Sequence, residues 1–171
     1  MYDWDLADPA LNAISHLRQA CEVLGKYTSL ELELFQTSVI QLDILMILNA
    51  SKASMTPSEI ASLVFRELHS VSGLLTRMEK AGYIKKSRSR EDQRRISVTI
   101  QPKGRDLLQR IQESGFARGA GILKSALSDG ELSEFDRLLR LVRDASLREI
   151  ALSSTPLPST VNARAMVHRR T

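Results

Sequence analysis

Residues 56–100 read TPSEIASLVFRELHSVSGLLTRMEKAGYIKKSRSREDQRRISVTI, and the hydrophobic period changes along them. Thr56-Pro57-Ser58-Glu59 is a capping box with proline at the first helical position. Ile60, Leu63 and Val64 give the short helix it opens an inner face. Leu68, Val71, Leu75 and Met78 follow at spacings of 3, 4 and 3, which is one face of a second helix. Gly82 stands where a left-handed cap would close it. Ile96-Ser97-Val98-Thr99-Ile100 then alternates strictly, as a half-buried strand does. Tyr83 to Arg88 can pair with it across the charged connection Ser89 to Arg94. Two short helices and a basic β-hairpin make a winged helix-turn-helix.

The flanks add helices. Ser38-Val39-Ile40-Gln41 is another capping box, and Leu42 to Leu48 is apolar nearly all round except for Asp43, as in the central helix of a core. Asp8-Pro9 opens a first helix with two apolar stripes. One stripe is Leu11, Ile14, Leu17, Cys21 and Leu24, and the other is Val23, Tyr27, Leu30 and Leu34. Two stripes predict burial against two neighbours, its own core and a second subunit. Pro102 starts a fifth helix with Leu107, Leu108, Ile111 and Ile122 on its apolar side. Ser128-Asp129-Gly130-Glu131 opens a sixth, with Leu132, Phe135, Leu138, Leu139 and Val142 expected inward. From Ser153 the chain turns to serine, threonine and proline and ends in a basic segment with Arg164, Arg169 and Arg170, read as a linker and flexible tail. The expected architecture is mainly α with a small β-hairpin wing. It divides into an N-terminal dimerisation helix (1–37), the winged helix-turn-helix (38–101), C-terminal dimerisation helices (102–152) and a flexible basic tail (153–171).

Composition narrows the function. At 171 residues one core is expected. No apolar run approaches a membrane span, and an N-terminus carrying Asp3 and Asp5 is no signal peptide. Cys21 is the sole cysteine, which excludes an internal disulfide and fits a reducing cytoplasm. The net charge of +4 conceals an asymmetry. Residues 1–50 hold Arg18 and Lys26 against seven carboxylates, whereas residues 77–95 hold eight cations against Glu79, Glu91 and Asp92. A polyanion is drawn to such a cluster, although a solvated basic surface has the same composition. The case for catalysis is poor. His16, His69 and His168 lie far apart with no metal-ligand spacing, so neither a metal nor a cofactor is expected. Gly119-Ala120-Gly121 with Lys124-Ser125 lacks the spacing and the preceding strand of a phosphate loop, and close helix packing is its simpler meaning.

The major groove of duplex DNA is about 12 Å wide and takes one α-helix. That helix needs an inner face to dock it and an outer face of small donors and acceptors. Residues 68–80 have this form. His69, Ser70 and Ser72 lie early, where such helices touch base edges, and Gly73 allows the backbone to approach closely. Arg77 and Lys80 are placed for phosphates. In the hairpin, Arg94 lies near the tip, where a narrow minor groove attracts a guanidinium, and Asp92 is close enough to orient it. Arg88, Arg90 and Arg95 suit phosphates.

Residues 38–145 resemble the MarR family of bacterial and archaeal regulators. The matches come in order: the Ser38–Gln41 helix start, Thr56-Pro57-Ser58-Glu59-Ile60-Ala61, Val71 through Ile84 over the recognition helix and its exit, Asp92-Gln93-Arg94 in the wing, and Val98-Thr99-Ile100 followed by Gly104. The resemblance implies a homodimer built from the terminal helices, with two recognition helices and two wings on a pseudo-palindromic operator. It also implies a repressor released by a small, often phenolic or otherwise aromatic, effector, or in some members gated by cysteine oxidation. Gly73 departs from the family's frequent arginine, Phe65 from the usual turn glycine, and Glu67 from a small capping residue. The tail after Ser153 lies outside the resemblance.

Simpler meanings stand beside these. His69 is equally read as a solvent-exposed helix residue, Arg77 as an ion-pair partner of Glu79, and Cys21 as an inert buried thiol rather than a redox sensor. His16 and Tyr27 suit an interface or surface better than a ligand pocket. Against sequence-specific DNA binding stands a protein-interaction module, since winged helices also bind proteins.

Overall fold

The computed structural model describes residues 6–51, 53–88 and 96–152. In chain order the elements are α1 (Pro9–Glu33), α2 (Val39–Ser51), α3 (Pro57–Leu63), α4 (Leu68–Lys80), β1 (Ile84–Arg88), β2 (Ile96–Ile100), α5 (Pro102–Ala126) and α6 (Asp129–Leu152). The helix starts follow the capping residues. The Asp8 carboxylate accepts the Ala10 N–H at 2.7 Å. Gln41 Oε1 accepts the Ser38 N–H at 3.0 Å, and Glu131 Oε2 accepts that of Ser128 at 2.9 Å. In the Thr56–Glu59 box, Glu59 Oε2 accepts the Thr56 N–H at 2.7 Å and Thr56 Oγ1 accepts the Glu59 N–H at 3.2 Å. Each box satisfies donors that a helix start would otherwise leave unpaired.

α2 is the hub. It buries Leu42, Ile44, Leu45 and Leu48 and packs against α1, α3, α5 and β2. Around it gather Leu32 of α1, Ile60 and Ala61 of α3, Val71, Leu74, Leu75 and Met78 of α4, Ile84, Val98 and Ile100 of the hairpin, and Leu107, Leu108 and Ile111 of α5. Full burial of such a side chain contributes roughly 1.5–3 kcal/mol, so this cluster carries the fold. Asp43 is half-buried on the same helix, and loss of water there pushes its carboxyl above its usual range. β1 and β2 pair antiparallel from Ile84↔Ile100 to Arg88↔Ile96. A bridge not anticipated from the sequence adds Met55, which exchanges backbone hydrogen bonds with Val98 at 3.0 and 2.7 Å and anchors the approach to α3 on the hairpin.

Several apolar positions expected inside are exposed in the single chain. On α1 these include Leu11, Ile14, Val23 and Leu30, and Cys21 is exposed with them rather than buried. On α6 Leu138, Leu139 and Val142 face outward, with Leu141 beside them, and Ile122 of α5 is also open. Among the described residues α6 packs chiefly on α5, which leaves its remaining apolar face open. Gly119 and Gly121 do not serve close packing within the chain either, since a Cβ at either would meet nothing within 4 Å. On α3 the buried residues are Ile60, Ala61 and Ser62, while Leu63 and Val64 are half-buried. The expected linker and basic tail after Ser153 lie outside the described residues.

Candidate nucleic-acid interface

α4 is held from within by Val71, Leu74, Leu75 and Met78. Leu74 joins this face, whereas Leu68, read from its spacing as the first inner residue, is 46% exposed at the first position of the helix. The opposite side presents His69, Ser70, Ser72, Gly73, Thr76, Arg77 and Lys80, all exposed. A Cβ at Gly73 would meet nothing within 4 Å, so this side is free for a close backbone approach. Arg77 does not pair with Glu79. That carboxylate is taken by the hairpin: Glu79 Oε1 accepts the Lys86 N–H at 2.7 Å, and Oε2 lies 3.3 Å from Lys86 Nζ. The Lys86 backbone N–H is the main reason the Glu79 carboxyl sits below its usual range; burial opposes this, and the Lys86 ammonium adds to it. Lys86 Nζ also donates to Thr76 Oγ1 at 2.9 Å. β1 is thereby fastened along the flank of α4. Among the described residues Arg77, Lys80 and His69 enter no ion pair, so their outward groups are available to a ligand.

The exit from α4 is a two-bond cap. Gly82, at φ +79, donates to Glu79 O at 2.9 Å, and Tyr83 donates to Met78 O at 3.0 Å. Tyr83 O then accepts the Gln101 N–H at 2.9 Å, across the base of the hairpin. Lys103 of α5 donates to Ala81 O at 2.8 Å with its ammonium 5.2 Å from the Tyr83 ring centre. Gly104 packs so tightly here that a Cβ would overlap the Tyr83 carbonyl oxygen and lie 3.1 Å from Ile100 Cγ1. Close approach, rather than an unusual φ, is what requires glycine at 104. The end of α4, the hairpin base and the start of α5 form one welded junction.

The entry to α4 is different. α3 ends in the same two-bond geometry, Phe65 donating to Ser62 O at 3.2 Å and Arg66 to Ala61 O at 3.0 Å, but the left-handed position is Phe65 at φ +52. An L side chain there costs about 1–2 kcal/mol relative to a right-handed conformation. Glu67 occupies the N-cap of α4 and makes no side-chain capping bond. The departure at 65 therefore carries a conformational cost, and the one at 67 a missing capping bond.

In the hairpin, Arg88 is exposed at the last pair of the ladder, opposite Ile96. Arg90, Asp92, Arg94 and Arg95 fall in the connection 89–95, outside the described residues. Sequence reasoning missed Glu79 with Lys86, whose partnership spans a turn and follows neither helical nor strand spacing. It also missed the Lys103–Tyr83–Gly104 junction. Among the described residues no group of three or more His, Cys, Asp or Glu could hold a metal ion, and no helix is long and apolar enough to cross a membrane.

Comparison with known proteins agrees with this geometry. Residues 35–95 match the MarR family model. A curated relative, the uncharacterized HTH-type transcriptional regulator YfiV of Bacillus subtilis (strain 168), is 33% identical over 78 residues. That match covers 46% of this chain, and the chain spans about half the length of the relative, 48%. Among solved structures, a mutant MarR from E. coli complexed with operator DNA superposes with a TM-score of 0.69 at 16% identity, covering 81% of this chain and 99% of that one. The organohalide-sensing regulator RdhR in its 2,4-dichlorophenol-bound form gives 0.70 at 20% identity, covering 86% and 89%. At such identities the structures establish the fold. Residues 35–95 thus match the model of the MarR family, on a chain that shares the fold of these solved structures over most of its length.

Proposed function

We propose that this protein is a DNA-binding transcriptional regulator that acts as a homodimer on a pseudo-palindromic operator. The observation that carries the reading is the outer side of α4: small, polar, cationic at its C-terminal half, exposed and braced from behind by the core. His69, Ser70 and Ser72 meet base edges, Gly73 lets the backbone approach, and Arg77 meets phosphate. The wing supplies Arg94, oriented by Asp92, to the minor groove, and Arg88, Arg90 and Arg95 to the backbone. No catalytic role is assigned.

The self-partner follows from the exposed apolar rows of α1, α5 and α6, which a second copy would cover. Residues 1–37 and 102–152 form this dimerisation unit, and 38–101 the DNA-binding unit. Repression relieved by a small aromatic effector is the regulatory form we favour. It is supported by the likeness to RdhR, whose structure holds 2,4-dichlorophenol.

The test is fluorescence anisotropy with duplexes from the region upstream of the protein's own coding sequence. Log affinity is expected to fall linearly with log salt, by about 0.9 per phosphate neutralised. Footprinting would show two protected half-sites about 34–36 Å apart along the axis. Absence of binding to any duplex at low salt would end this reading and favour a protein-interaction module.

A further inference from the structure

Three features that packing on the core does not explain meet at the entry edge of α4. Phe65 is held in the left-handed region at φ +52, where glycine would be unstrained. The residue is 51% exposed and is not among those packed on the core, so burial does not explain it. Leu68, at the first position of the helix, is 46% exposed. Between them Glu67 leaves the helix start without a side-chain cap. Any one of these is unexceptional. Together they place two large apolar groups on the end of the helix that enters the groove first.

We propose that Phe65 and Leu68 read the C5 methyl groups of thymines in each half-site, which makes them specificity determinants of this chain. The inference rests on the DNA-binding reading above. The thymine methyl is the apolar group on the major-groove edges of the bases, and apolar side chains are its complement. The edge is not built for phosphate. Neither the Phe65 nor the Leu68 side chain carries a hydrogen-bond donor, and the Glu67 carboxylate repels the backbone. Arg66, exposed beside them, is the cation left to hold the phosphates at the groove's lip.

The test replaces each operator thymine in turn by deoxyuridine, which removes the methyl and nothing else. At one thymine position per half-site the wild type is expected to lose affinity about fourfold, and about fifteenfold when both half-sites are changed. Phe65→Gly, which relieves the left-handed strain, and Leu68→Ala are expected to bind the thymine and uridine operators alike at that position. Both variants should keep the wild-type salt slope and far-ultraviolet circular dichroism. If the wild type binds its operator but no uridine substitution matters, the methyl reading is overturned and the DNA-binding reading survives. If both variants keep the full thymine preference, Phe65 and Leu68 face something other than DNA, and the proposal is equally overturned. If the wild type binds no duplex, both readings fall together.

Discussion

Gly104→Ala should unfold this protein far more readily than its chemistry suggests. The added methyl would overlap the Tyr83 carbonyl oxygen, and that oxygen is pinned because it accepts the Gln101 N–H at 2.9 Å. Clearing it requires a backbone shift of roughly 1 Å in a well-packed region, which typically costs 1–3 kcal/mol. Breaking the Gln101 bond adds about 1 kcal/mol, or more where the donor stays buried. The expected loss is about 3 kcal/mol, a large share of the roughly 5–15 kcal/mol that holds a domain together. Gly73→Ala is the matched control with the opposite sign. A Cβ there meets nothing within 4 Å and the residue lies within α4, so alanine should stabilise by about 1 kcal/mol. Urea unfolding at one fixed protomer concentration measures both, with midpoints expected to separate by 1 M or more for slopes of about 1–3 kcal/mol per M. A Gly104→Ala midpoint within 0.2 M of the wild type, as an order-of-magnitude bound on a neutral change, would refute the steric argument.

Other outcomes follow from the same structure. Leu138→Arg with Leu141→Arg should leave sedimentation velocity showing monomers at micromolar protein; retention of a dimer would mean that α6 does not form the interface. Arg94→Ala should weaken operator binding at least tenfold, about the 1.4 kcal/mol expected of one lost charge-assisted contact, and unchanged anisotropy would remove the wing from the interface. Glu79 is held below the ordinary carboxylate value of 4.5 by the Lys86 N–H. Its contribution is therefore complete above that pH and is lost as pH falls through the lowered folded value. Glu79→Gln should flatten the acid limb of a thermal-melt profile below pH 4.5, and an identical limb in both proteins would show that the contact is not maintained in solution.

What could be read from the sequence was whatever local physics decides. The capping boxes at Ser38, Thr56 and Ser128 located three helix starts because the bonding groups lie three residues apart. The alternation of residues 96–100 located the strand, and Gly82 the end of α4. Leu68 and the α6 leucines defeated the same reasoning for two different reasons. Periodicity identifies a face but cannot tell that the helix has outrun its core, as at Leu68. Nor can it distinguish a face covered within the chain from one the chain leaves open, as at Leu138 and Leu139. The outer face of α4 was legible because each of its residues is small or charged where an inner face would be apolar. The brace between Glu79 and Lys86 was not, because it depends on how the hairpin folds back over the helix.

The welded junction between residues 81 and 104 has a mechanical corollary. α5 is 25 residues long, a rod of about 37 Å, and its first turn is fixed to the end of α4 through Lys103, Tyr83 and Gln101. A tilt of about 5° pivoting at that joint displaces the far end of the rod by roughly 3 Å. If α5 helices met in the dimer proposed above, they would behave as the arms of a caliper, and a small angular change between them would open or close the gap between the two α4 helices.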